Sequence, residues 1–145
     1  MFNEGTMTRK AQCCCGACVV EVSSEPALHG VCNCNNCKKR TGSAFGISAY
    51  FWAEDVRVVS DNTAIYALSN DHGKQERHFC RNCGTTLYWQ VEIFAGMTGV
   101  AGGCFAEDPL PDPTFYAMLD NKCAWVSFSE QMKAGLKPED IPTKN

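Results

Sequence analysis

The chain has 145 residues, enough for one domain with a sizeable core. Charged residues make up 20% and the formal net charge is -3, so no cationic field gathers nucleic acid. No apolar run reaches the length of a membrane span, and the eleven cysteines are the feature to be explained.

Residues 1–10 read as a flexible polar leader with no apolar core or cleavage signature for secretion. The cysteines are therefore read as reduced thiols of a cytoplasmic protein, clustered for metal rather than spaced for disulfides. Residues 11–136 read as a single zinc-binding β domain, and residues 137–145 as a polar C-terminal tail.

Gln12 to Val22 opens with cysteines and continues as a strand, since Val20 and Val22 alternate with Val19 and Glu21. Two ligand pairs are open here. Cys13 and Cys15 lie on one side of an extended segment, whereas Cys15 and Cys18 have the spacing of a zinc knuckle. Ser23 to Gly30 reads as a turn around Pro26, and His29 as a hydrogen-bonded or surface residue rather than a ligand.

Next comes V-C-N-C-N-N-C-K-K-R-T-G-S-A-F-G, Val31 to Gly46. Cys32, Cys34 and Cys37 place three soft ligands on one short turn, one fewer than a closed tetrahedral site needs. An open fourth position is the form a metal takes when it does chemistry. Lys38 to Thr41 reads as one helical turn ended by Gly42.

Gly46 to Trp52, Asp55 to Val59 and Ala64 to Leu68 read as strands, followed by a polar loop from Asn70 to Lys74 with an exposed His72. Cys80-Arg81-Asn82-Cys83-Gly84 is a knuckle pattern without the βαβ setting of a redox C-x-x-C. Strands are expected over Thr86–Val91, Glu92–Thr98, Val100–Phe105, Phe115–Leu119 and Ala124–Phe128. Pro109, Pro111 and Pro113 mark an extended loop, and Ser129 to Gly135 has some helical character. Cys104 and Cys123 read as buried, inert thiols. Many short strands and little helix predict an all-β sandwich or partly open barrel pinned by metal.

Two metal centres account for the clusters: a closed site of four that includes Cys80 and Cys83, and the three-cysteine centre. The segments Cys13-x-Cys15-Gly16-Ala17, Cys32-x-Cys34-x-x-Cys37-Lys38-Lys39 with Gly42 to Gly46, and Cys80-x-x-Cys83-Gly84-Thr85-x-Leu87 resemble the glutathione-dependent formaldehyde-activating enzyme family, which also contains centromere protein V. The resemblance spans roughly residues 10 to 128. It implies a mainly β fold, a complex sandwich of several coiled sheets stabilised by two zinc ions. It implies Cys13, Cys15, Cys80 and Cys83 as the structural ligands, and Cys32, Cys34 and Cys37 as the reactive centre. The activity implied is that of a carbon–sulfur lyase joining glutathione and formaldehyde, or a related aldehyde, to an S-hydroxymethyl thiol. Lys38, Lys39 or Arg40 is a candidate for holding a carboxylate of that substrate, and Ser43 for bonding the carbonyl oxygen. A His common near the late strands of the family has no counterpart in Pro113-Thr114-Phe115-Tyr116. The competing expectation is a zinc-stabilised protein-binding module without chemistry.

Overall fold

Residues 8–144 are described in the computed structural model. Eleven strands and one α-helix run through them. In chain order these are β1 Arg9–Gln12, β2 Val19–Val22, β3 Leu28–Cys32, α1 Asn35–Thr41, β4 Gly46–Trp52, β5 Val56–Ser60 and β6 Thr63–Asn70. Then follow β7 Gly73–Cys80, β8 Thr86–Val91, β9 Met97–Ala101, β10 Phe115–Ala117 and β11 Lys133–Ala134. The fold is thus mainly β with little helix, as the strand-rich sequence predicts.

Two sheets form. One is small, in the order β1-β2-β5, and the other has eight strands in the order β11-β10-β3-β4-β9-β8-β7-β6. Pairing is antiparallel except for β3–β10 and β10–β11, which are parallel. The core lies between the sheets. Val20 and Val22 of β2 pack with Ala49 and Phe51 of β4, Leu87 of β8 and Val100 of β9 in one buried cluster. Because side chains alternate along a strand, the residues between these face the other side of the large sheet. That side carries Tyr50, and it becomes the floor of the functional site.

Several expected boundaries move. Strand β1 begins at Arg9, inside the stretch read as leader, and residues 1–7 lie outside the described residues. The turn around Pro26 is shorter than expected, and His29 and Gly30 belong to β3. Glu92–Thr98 and Val100–Phe105 are not two strands. A 3-10 turn at Glu92–Phe94 and another at Gly102–Phe105 flank the single strand β9. Glu92 leaves the sheet because its carboxylate accepts the backbone N–H of Lys74 at 3.0 Å.

Ala124–Phe128 is not a strand either. Its apolar pattern is used by packing rather than pairing: Phe128 stacks on Tyr116 at 4.6 Å and meets Phe45 edge-on at 5.4 Å. Ser129–Gly135 holds a turn and the two-residue β11 instead of helix. Backbone bonds from Lys133 to Thr114 at 2.8 Å and from Gly135 to Tyr116 at 2.7 Å lay this segment along β10. Among the described residues no helix is long and apolar enough to cross a membrane.

Candidate functional site

Two knuckle turns build the first cysteine cluster. In the β1–β2 turn the N–H of Gly16 donates to the Cys13 carbonyl at 3.1 Å. In the β7–β8 turn the N–H of Gly84 donates to the Cys80 carbonyl at 2.9 Å. Gly84 has φ +79°, a left-handed value that suits glycine and aims both flanking thiols at one point. The sulfurs of Cys13, Cys15, Cys80 and Cys83 lie within 4.8 Å of one another and can hold a metal ion.

Neighbouring donors tune these thiols. The backbone N–H of Cys18 donates to Cys13 Sγ at 3.2 Å. The Thr85 hydroxyl beside Cys83 holds that thiol down at about 5. Cys18 itself belongs to the core: it is fully buried, burial pushes its thiol up to about 12, and it stands outside the set of four. Cys14 is exposed.

The second cluster forms where β3 runs into α1. Cys32 ends the strand, and Cys34 caps the helix, its sulfur accepting the N–H of Cys37 at 3.3 Å. The expected single turn is thus a seven-residue helix, closed by Gly42 in the left-handed conformation. Its basic residues lie in the last turn, where the helix dipole favours them. The sulfurs of Cys32, Cys34 and Cys37 lie within 4.8 Å of one another and also suit a metal ion. Hydrogen bonds with Cys32 and Cys37 hold the Cys34 thiol well below the usual thiol range.

This cluster opens onto a cavity of about 430 Å³. The register of the large sheet explains its floor. One row of cross-strand partners reads Leu28, Tyr50, Gly99, Trp89 and Arg77. Gly99 has no side chain, and the Trp89 indole fills that gap: a Cβ on Gly99 would collide with Trp89 Nε1. From there the indole N–H donates to the Tyr50 hydroxyl at 3.1 Å. Burial pushes that hydroxyl up to about 12, so it stays protonated. The guanidinium of Arg40, on α1, stacks on Trp89 at 4.5 Å. Its Nη2 is buried with no hydrogen-bond partner. Arg77 is 8% exposed, and neither arginine has a carboxylate partner among the described residues. Burial, then the charge of Arg40, lowers the Arg77 pKa.

Of the sequence candidates for substrate contact, Arg40 lines the cavity and the other three lie elsewhere. Lys38 donates to the backbone carbonyl of Asn121, Lys39 is exposed on α1, and Ser43 is exposed just past it. None of the three lines the cavity, whereas Arg40, Tyr50, Arg77 and Trp89 do. Three of these four sit on strands far apart in sequence, and only Arg40 lies beside a motif. His29 is buried in β3 and belongs to neither cysteine cluster. His72 is half-buried at the cavity wall rather than exposed. His78 stacks on Tyr88 at 4.2 Å and bonds Gln90. Cys104 packs against the core, and burial pushes its thiol up to about 11. Cys123 is half-buried.

Comparison with known proteins fits these motifs. A Fusarium vanettenii protein provisionally named as a glutathione-dependent formaldehyde-activating enzyme is 28% identical over 117 residues, 77% of this chain and 62% of that protein. A Podospora anserina protein with the same provisional name is 26% identical over 125 residues, 83% of this chain and 56% of that protein. The chain thus spans about three fifths of the length of these curated relatives. A Rhodobacter sphaeroides protein of known crystal structure has a TM-score of 0.53 and 29% identity, covering 66% of this chain and 85% of that one. Residues 8–119 match the family described as glutathione-dependent formaldehyde-activating enzyme, and on that match the chain belongs to this family.

Proposed function

We propose that this chain is a zinc-dependent carbon–sulfur lyase acting on the adduct of a thiol and a small aldehyde. The observation that carries the reading is the three-cysteine cluster opening onto a cavity lined by Arg40, Tyr50, Arg77 and Trp89. The donor sets fit zinc: four thiolates around a tetrahedral zinc stand ~3.8 Å apart, from Zn–S bonds of ~2.3 Å. Cys13 and Cys15 are 3.8 Å apart, and Cys15 and Cys80 are 3.7 Å apart. The cluster of four is then structural, and the cluster of three keeps one position for a substrate sulfur.

Cys32, Cys34 and Cys37 would hold the zinc ion, whose positive charge would keep an approaching thiol ionised at neutral pH. The protein's residues do the rest. The largely apolar cavity walls hold the reacting sulfur beside Tyr50. The substrate sulfur donates its electron pair to the aldehyde carbon, forming the C–S bond, while the carbonyl π pair moves onto oxygen. Tyr50, protonated and already accepting from Trp89, has its O–H free to give that oxygen a proton and is reprotonated from water. The proton lost by the thiol goes to solvent, so thiol and aldehyde sum to the hydroxymethyl product, and the reverse sequence breaks the bond. Arg40 and Arg77, rather than Lys38 or Lys39, hold the substrate's carboxylate, and Tyr50 takes the role first considered for Ser43.

Native mass spectrometry tests this reading. Two zinc ions per chain are expected, with a glutathione adduct that depends on the three-cysteine centre. Cys34→Ser should remove one zinc and the adduct and leave the other zinc in place. One zinc per chain, unchanged by glutathione, would point instead to a zinc-stabilised binding module.

A further inference from the structure

The walls of the cavity describe a narrower ligand than glutathione. Its cations are the guanidinium groups of Arg40 and Arg77, which have no carboxylate partner among the described residues and face the three cysteines. Arg40 Nη2 is buried with no hydrogen-bond partner, and a buried donor left unpaired is costly, so an acceptor from the ligand completes the site, best as a planar oxyanion in reach of a guanidinium. No aspartate or glutamate lines the cavity to receive the ammonium of a peptide thiol.

The remaining surface is largely apolar, and much of it comes from outside the strands. Ile93 and Phe94 project from the 3-10 turn after β8, and Leu136 and Ile141 from the segment that follows β11. That segment is fixed in place. Besides its backbone bonds to β10, Asp140 accepts from the Lys137 backbone N–H at 3.0 Å and pairs with Lys133 at 3.1 Å. It also lies beyond residue 119, where the family match ends. The matched part thus supplies the thiols, and the segment beyond it supplies part of the apolar wall.

We propose that the cavity takes a thiol with one anionic group on an apolar body, an alkyl or aryl mercaptocarboxylate or its aldehyde adduct. Arg40 and Arg77 bind the anion, and Leu136 and Ile141 select the body. This rests on the reading that the three-cysteine centre accepts a thiol. The volume of about 430 Å³ suits a ligand of that size, and a one-carbon aldehyde alone would leave the apolar wall unfilled.

Calorimetric titration of the zinc-loaded full chain with mercaptohexanoate, mercaptohexanol, hexanoate and glutathione tests it. Mercaptohexanoate should bind about 10-fold or more tightly than glutathione, and about 10- to 100-fold more tightly than the uncharged mercaptohexanol. Arg77→Gln should erase the advantage of the acid over the alcohol. Leu136→Ser should weaken acid and alcohol together by about 5-fold. Glutathione binding as tightly as mercaptohexanoate in the unaltered protein overturns the proposal, and so does an Arg77→Gln effect equal for acid and alcohol. If mercaptohexanoate binds no better than hexanoate while both depend on Arg77 and Leu136, the anionic, apolar site stands and the thiol reading of the three-cysteine centre falls.

Discussion

At the scale of single residues, burial decides what a side chain does more than its type. His29 is 8% exposed in β3, and its Nδ1 has no hydrogen-bond partner. Burial lowers its pKa below the ordinary 6.5, with the Asp112 charge a smaller opposing influence. The native state then binds fewer protons than the unfolded chain as the pH falls below 6.5. The contribution of His29 to stability is complete above that value and is lost as the pH drops through the lowered pKa. Urea denaturation of the wild type should therefore lose stability between pH 7 and 5, with part of the loss absent in His29→Gln. Equal slopes in the two proteins would exclude this account. The spacing of the seven clustered cysteines was legible in the sequence because knuckle turns are local. The burial of His29 was not, because it depends on which strands cover β3.

At the scale of elements, one glycine shapes the floor of the cavity. Gly99 stands between Tyr50 and Trp89 in register, and the indole occupies the space its missing side chain leaves. Gly99→Ala should force Trp89 aside, breaking its bond to Tyr50 and its stacking with Arg40. The expected cost is about 1–3 kcal/mol in denaturant unfolding, with a shift in Trp fluorescence that Gly103→Ala, which meets open space, does not produce. Alternation made β4 and β8 legible at their expected limits and β5 and β6 to within two residues, whereas β3 reads as a turn in the sequence, β7 has no strand signal of its own, and β9 replaces two expected strands. Ala124–Phe128 misled because an apolar, β-prone pattern does not record whether a segment pairs: Phe128 packs on Tyr116 and Phe45, while Trp125 is 80% exposed.

At the scale of the whole molecule, the four-cysteine cluster is a seam. Cys13 and Cys15 belong to the turn of the small sheet, and Cys80 and Cys83 to a turn of the large one. A metal held there ties the sheets together and closes a long loop of chain. Cys83→Ser should lower stability by about 3 kcal/mol or more, ~10 °C in Tm for a chain of this size. Cys37→Ser, at the centre that joins only β3 and α1, should cost distinctly less. A larger fall in Tm for Cys37→Ser would reverse the structural and reactive assignments of the two centres.

The sequence by itself determined the three-cysteine group, the β class and the family resemblance, because these rest on local motifs and on alternation along single strands, whereas the choice of Cys15's partner, Cys13 rather than Cys18, and the meeting with Cys80 and Cys83 needed the fold. Only the tertiary structure decided which cations meet the three-cysteine centre. Lys38 and Lys39 are neighbours of Cys37 in sequence, but the helix turns them away from the cavity, while Arg40, one helical turn nearly complete from Cys37, returns to it. Arg77, Trp89 and Tyr50 arrive from three different strands. Their meeting is set by sheet register, a long-range property that no short stretch of sequence contains.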